Sequence, residues 1–95
     1  MKIGVCTLEF RMPYVHSLKE KRSVIKKLSN KIQQKFNVSI SEVDNWDIWQ
    51  TATLGIVVVG SHGPLLEGIL ETLIDYTESI FDGEIRVLHT EVIVV

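Results

Sequence analysis

Between Ser17 and Phe36 the chain carries seven bases and a single acid, a local charge of +6 in a protein whose net charge is −2. Lys19, Lys21, Arg22, Lys26, Lys27, Lys31 and Lys35 supply it. Clustered cations of this kind can contact the phosphates of a polyanion, each contact adding a salt-dependent and sequence-blind increment of affinity. Wound into a helix, Lys19, Arg22 and Lys26 share one flank, Lys27 and Lys31 share another, and Lys21 and Lys35 project into the apolar arc. A solvated helix face explains the same residues, since lysine has good helix propensity, and both readings stand. For Lys21 and Lys35 the expectation is a stem laid over the helix edge with the charge in water, ahead of a buried Lys21 paired with a carboxylate. A complementary block follows: from Gly63 to Asp82 there are five acids and no base. Glu67, Glu71, Asp75, Glu78 and Asp82 are expected to form a solubilising outer face. Salt bridges to the basic segment, or to that of another copy, are the alternatives.

A second group gathers around two short polar stretches: Arg11, Tyr14, His16, Ser17 and Lys19, then Trp46, Asp47, Trp49 and Gln50. Tryptophan is enriched at binding hot spots, so Trp46 and Trp49, with Arg11, extend the candidate surface formed by Lys19, Arg22, Lys26, Lys27 and Lys31. The competing role is to plug the end of the core with the indole N–H satisfied locally. One tryptophan is expected to plug and the other to be exposed.

Other chemistries find no support in residue type and spacing. His16, His62 and His89 have no spacing that a zinc site favours, so no metal is expected. Cys6 is the single cysteine and lies in an apolar run, which predicts a buried, inert thiol and excludes an intramolecular disulfide. There is no GxSxG and no cysteine flanked by histidine. The expectation is therefore a binding domain without catalytic residues or cofactor. No segment approaches the ~18 apolar residues of a membrane span and the first residues do not read as a signal peptide, so no membrane partner and a cytoplasmic address are expected.

The elements that must position these residues follow from periodicity. Lys2–Phe10 is strand-like with two largely apolar faces, which suits a central strand. Ser17-Leu18-Lys19-Glu20 is a capping box, and Leu18, Val24, Ile25, Leu28, Ile32 and Phe36 give the helix it opens an apolar side that ends near Phe36-Asn37. Val38–Val43 alternates and then turns polar, as an edge strand does. Asp44-Asn45-Trp46-Asp47 supplies turn chemistry, and the β-branched run Ala52–Gly60 reads as a second central strand. Pro64 suits the first turn of a second helix, whose apolar side runs from Leu66 to Phe81. Asp82-Gly83 turns the chain into a last strand, Ile85–Val95.

The order βαββαβ predicts a single α+β domain over residues 1–95 of the ferredoxin-like class: a four-stranded antiparallel sheet in the spatial order 4-1-3-2, with two helices on one face. The two most apolar segments are the two that this order makes central. It also brings the 11–16 and 44–51 connections to one end of the sheet and sends 61–64 to the other. Functions of this class can be tested against the residues. Stacking of RNA bases on the central strands is excluded, because Ala52–Gly60 has no aromatic residue. Arg11-Met12-Pro13-Tyr14 is no phosphate-cradling loop, and it lacks the paired cysteines of a metal carrier.

With the elements placed, Ser17-Leu18-Lys19-Glu20-Lys21-Arg22, then Lys35-Phe36-Asn37-Val38-Ser39, then Glu42-Val43, and Gln50 before Ala52, resemble the bacterial YlxP-like family over essentially the whole chain. The resemblance implies a ferredoxin-like fold and brings no catalytic activity. It also points towards RNA or ribosome work, because genes of that family lie near those of translation factors. Two functions are expected in consequence. The first is a binding module for RNA or the ribosome that acts through the basic helix. The second is a protein-interaction or small-ligand regulatory domain that forms a homodimer through the bare sheet face or an edge strand. That face would gather apolar residues from both central strands with Val87, Leu88, Val92 and Val94, a patch that monomers seldom expose.

Overall fold

The computed structural model describes residues 1–95 and contains six elements: β1 (Lys2–Arg11), α1 (Leu18–Lys35), β2 (Ser39–Asp44), β3 (Thr51–Gly60), α2 (Gly63–Ile80) and β4 (Glu84–Val94). The strands form one antiparallel sheet in the order β2-β3-β1-β4. This is the ferredoxin-like arrangement, with the two apolar strands in the middle. Alternation decides what each strand buries. Cys6, Leu8 and Phe10 of β1 and Ala52, Leu54, Ile56 and Val58 of β3 turn to the helix side and are buried there. Leu28 and Ile32 of α1 and Leu66, Leu70 and Leu73 of α2 close over them. Each of the larger side chains so buried (leucine, isoleucine, valine and phenylalanine) contributes roughly 1.5–3 kcal/mol of transfer free energy, which is how a domain this small holds together without a disulfide. Phe10 meets Phe81 edge to face, 5.0 Å between ring centroids.

Helix α1 begins as its sequence predicts, with one adjustment. Ser17 Oγ accepts from the Glu20 amide at 3.1 Å, but the Glu20 carboxylate takes the amide of His16, 3.2 Å away, and not that of the cap itself. The chain leaves α1 at Phe36, whose amide still donates to Ile32 O. Pro64 occupies the first turn of α2 as expected.

The connections 12–17 and 45–50 meet at one end of the sheet. The Met12 amide donates to Gln50 O at 2.8 Å, and the Gln50 side chain donates to Pro13 O and Val15 O. Met12 and Val15 are fully buried and close this end of the core. The expectation that one tryptophan plugs it is therefore corrected: Trp46 is 59% and Trp49 51% exposed. Two apolar residues already fill the position a tryptophan would have taken.

Strand β4 departs from simple alternation. Its register against β1 shifts by one residue, Thr7 opposing His89 and Leu8 opposing Val87, so Leu88 is bulged out. The bulge reverses which face each later side chain meets. It brings Val87, before it, and Val92, after it, to the same helix side, where they line a groove with Leu70 and Ile74. They do not join the bare face as expected. That face carries Ile3, Val5, Val43, Val57, Val59 and Ile93 among Thr7, Glu9, Arg86, His89 and Glu91. At the turn before β4, Gly83 has φ +147°, and a Cβ there would collide with Arg11 O.

Candidate basic and aromatic surface

Six of the seven bases of α1 are exposed, among them the five candidates Lys19, Arg22, Lys26, Lys27 and Lys31. None of them lies within ion-pair distance of a carboxylate; the ion pairs of the molecule are Lys21–Glu42 and Arg86–Glu9, and His89 Nε2 lies 3.0 Å from Glu91 Oε2. The acids of α2 are exposed too and form no bridge to α1, so they remain a charged outer face.

The five bases divide into two sets with different neighbours. Lys27 and Lys31 face α2 and line a small cleft with Tyr14, Val24, Leu28, Ile80, Phe81 and Asp82. Burial, and then the Asp82 carboxylate, push the Tyr14 phenol above its ordinary pKa, and Asp82 itself lines this cleft. Lys19, Arg22 and Lys26 lie on the other flank. Gln33 marks that flank, its side chain donating to Val38 O just before β2. It looks past the β2 edge into solvent, with no carboxylate bonded to it. Lys35 snorkels as expected, its ammonium 4.2 Å from the centroid of the Tyr76 ring.

Lys21 is the correction. Its side chain is 1% exposed and its ammonium is 2.8 Å from Glu42 Oε2. It also donates to Asn45 O at 2.6 Å and Ile48 O at 2.8 Å, with Trp46 O at 3.5 Å on the margin. The approach to Glu42 is off the hydrogen-bonding direction, so that buried oxygen has an opposite charge beside it but no aligned donor. Snorkelling fails because the 45–48 turn folds over the first turns of α1 and leaves the ammonium no route to water. The turn supplies carbonyls in place of water, which is what a buried charge requires.

The turn is shaped to do this. Asn45 has φ +61°, a left-handed conformation that asparagine tolerates better than most residues. Its amide is held by Asp44 Oδ1 and its side chain by Thr53 Oγ1, each at 2.8 Å. Trp46 donates its indole N–H to Glu42 O at 3.0 Å, which fixes the ring against β2 and leaves most of it exposed. Lys21 therefore ties the tryptophan-bearing turn to the basic helix. Sequence reasoning missed this residue as a site organiser. The available signals were its place in the apolar arc of α1 and the inward position of Glu42, in step with Ile40.

The remaining candidates are dispersed. Trp49 lies on a separate open cleft with His16, Asp47, Ile48 and Gln50. Arg11, at the end of β1, opposes Thr51 and Glu84 and shares a groove with Glu84 and not with α1. Of the eight candidates, Lys19, Arg22 and Lys26 share one flank of α1, and Trp46 lies in the 45–48 turn whose carbonyls Lys21 binds. His62 caps α2 at the far end of the sheet from His16, and His89 pairs with Glu91. Cys6 is buried among apolar side chains, which pushes its thiol up to about 11. No helix is long and apolar enough to cross a membrane.

Residues 3–92 match the family model described as a protein of unknown function, DUF503. The chain is also 40% identical over 89 residues to a Bacillus subtilis (strain 168) protein described as uncharacterized protein YlxP, covering 94% of this chain and 97% of the relative.

Proposed function

We propose a binding rather than a catalytic role for this chain, which belongs to the DUF503 family of proteins of unknown function. The ligand is RNA or a ribonucleoprotein such as the ribosome, held by its phosphates. The observation that carries this reading is the flank of Lys19, Arg22 and Lys26. Three exposed cations lie along about 10 Å of helix axis, with no carboxylate paired to them. Cations already engaged by acids would gain little from phosphate. Unpaired ones gain the full release of the nucleic acid's counterions. Trp46, anchored through its N–H to Glu42 O in the turn that Lys21 binds, offers an exposed ring on which an unpaired base can stack. Lys27 and Lys31 add less, because Asp82 lines their cleft.

Fluorescence anisotropy with a structured RNA tests the reading. Replacing Lys19, Arg22 and Lys26 together with glutamate abolishes binding, whereas changing Lys31 alone weakens it only slightly. Unchanged affinity in the triple variant would count decisively against it.

The uncovered sheet face favours a second reading, a dimeric protein-interaction or small-ligand regulatory domain. There Val59 and Ile93 are exposed beside the half-buried Val5 and Val57. A thermal shift with a nucleotide or amino acid that does not respond to salt would favour this one.

A further inference from the structure

We infer that the outer edge of β4 pairs with the same edge of a second copy, across a two-fold axis lying between Leu88 and His89. This stands independently of the phosphate reading. Strand β4 is eleven residues long and outermost in the sheet. Edges of this length are usually blunted by lysine, proline or a covering loop. Here the strand has neither residue type, and Val87, Leu88 and Val94 are exposed along it. Its protective features are the charges of Glu84, Arg86 and Glu91 and the bulge at Leu88, which an unbulged strand cannot match. A second copy brings the same bulge to the same place.

Two geometric requirements fix the register. The first is the direction of the backbone groups. Val95 exchanges hydrogen bonds with Met1 in both directions, at 2.9 and 3.2 Å. Antiparallel alternation then turns the N–H and C=O of His89, Glu91 and Ile93 towards β1 and those of Thr90, Val92 and Val94 outward. Before the bulge, Glu84 and Arg86 oppose Arg11 and Glu9, which places Ile85 and Val87 outward. The second requirement is that side chains facing each other across the new edge lie on the same side of the sheet. Ile85, Val87, Thr90 and Val92 share the helix side; Glu84, Arg86, His89, Glu91 and Ile93 share the open side. An axis between Leu88 and His89 meets both requirements. It gives hydrogen-bonded pairs Ile85–Val92 and Val87–Thr90, and the close non-hydrogen-bonded pair Arg86–Glu91, each formed twice.

Charge excludes the neighbouring solution. An axis between Val87 and Leu88 also keeps the faces matched, but it opposes Glu84 to Glu91 twice. In the favoured register the two charges that meet are opposite and available. Arg86 is 72% exposed and only 3.6 Å from Glu9 at its nearest approach, and Glu91 engages nothing but His89. The opposing cost comes from Glu67 and Glu71, which with Glu91 line the groove of about 410 Å³ above β4 and would face their copies across the axis. The product is accordingly a concentration-dependent dimer and not an obligate one.

Sedimentation velocity on the full chain, from micromolar to hundred-micromolar concentration, tests this. The wild type dimerises across that range. Arg86→Glu and Glu91→Arg, both at exposed positions, each weaken the dimer about tenfold or more, because two attractive pairs become repulsive. The double swap restores affinity to within about threefold. Amide exchange on the unmodified protein gives a second measurement: the outward N–H groups of Ile85, Val87, Thr90 and Val92 gain protection as concentration rises. A chain that stays monomeric throughout, or a dimer that neither swap weakens, overturns the inference, as does edge exchange that ignores concentration.

Discussion

Replacing Lys21 with methionine keeps most of the stem's volume and removes only the ammonium. The lost interactions are those to Asn45 O at 2.6 Å, to Ile48 O at 2.8 Å and to the Glu42 carboxylate at 2.8 Å. Breaking one side of a fully buried ion pair costs about 3–5 kcal/mol, but the Glu42 side chain is 22% exposed and can take up water in part. The two carbonyls lose bonds to a charged donor, worth ~1.5–3 kcal/mol each before the turn relaxes. These losses are not additive, and about 3 kcal/mol is the expected destabilisation. That is a large share of the ~5–15 kcal/mol a domain possesses. At ~4–8 °C per kcal/mol for a chain of this size, the melting temperature falls by on the order of 15 °C. Urea unfolding followed by far-ultraviolet circular dichroism gives the free energy, and tryptophan emission reports on the turn. Lys21→Met with Glu42→Leu removes the orphaned carboxylate as well, and should recover about 1 kcal/mol or more of the loss. A single variant destabilised by less than about 1 kcal/mol would show that the ammonium does not hold the turn. A double variant less stable than the single one would refute the pairing with Glu42.

Two further outcomes follow from particular positions. Gly83→Ala meets both a positive φ of +147° and the Arg11 carbonyl oxygen, so it should cost about 2 kcal/mol or more in urea unfolding, whereas Gly68→Ala, with open space around it, should be neutral or stabilising. Cys6, with its thiol raised from 9.0 to about 11 by burial, should resist a thiol reagent at pH 8 in the native state and react on unfolding. Because the folded pKa is the higher one, the unfolded chain ionises first, so this residue's contribution to stability is complete below pH 9 and lost as pH rises towards 11. Cys6→Ala should flatten the unfolding free energy over that window, and an identical alkaline slope in the variant would contradict the assignment.

What the sequence made legible was what local periodicity encodes. The two apolar runs became the central strands, the Ser17–Glu20 box opened α1, and the order of elements determined the sheet order. The boundaries moved by a residue or so, as helix and strand ends do. What it hid depends on distant partners. Lys21 looked like a snorkelling lysine because the groups that bury it, Glu42, Asn45 and Ile48, come from β2 and the turn that follows it, distant in sequence. Leu88 is an ordinary strand residue, and nothing beside it announces a bulge, yet that one insertion puts Val87 and Val92, which simple alternation would split between the faces, together on the helix side. The tryptophans are exposed because Met12 and Val15 close the core first. Helical spacing divides the bases of α1 between two flanks, but only the packed helices reveal that Lys27 and Lys31 share a cleft with Asp82.

The central claim is that the Lys19, Arg22 and Lys26 flank binds phosphate, and the salt dependence of RNA affinity tests it most directly. Three phosphate contacts predict that the logarithm of affinity falls with the logarithm of salt concentration with a slope of roughly −2 to −3. Each single replacement of Lys19, Arg22 or Lys26 by alanine should reduce that slope by about one, and Gln33→Ala should leave it unchanged. A slope near zero, or one that the three replacements do not alter, would contradict the account.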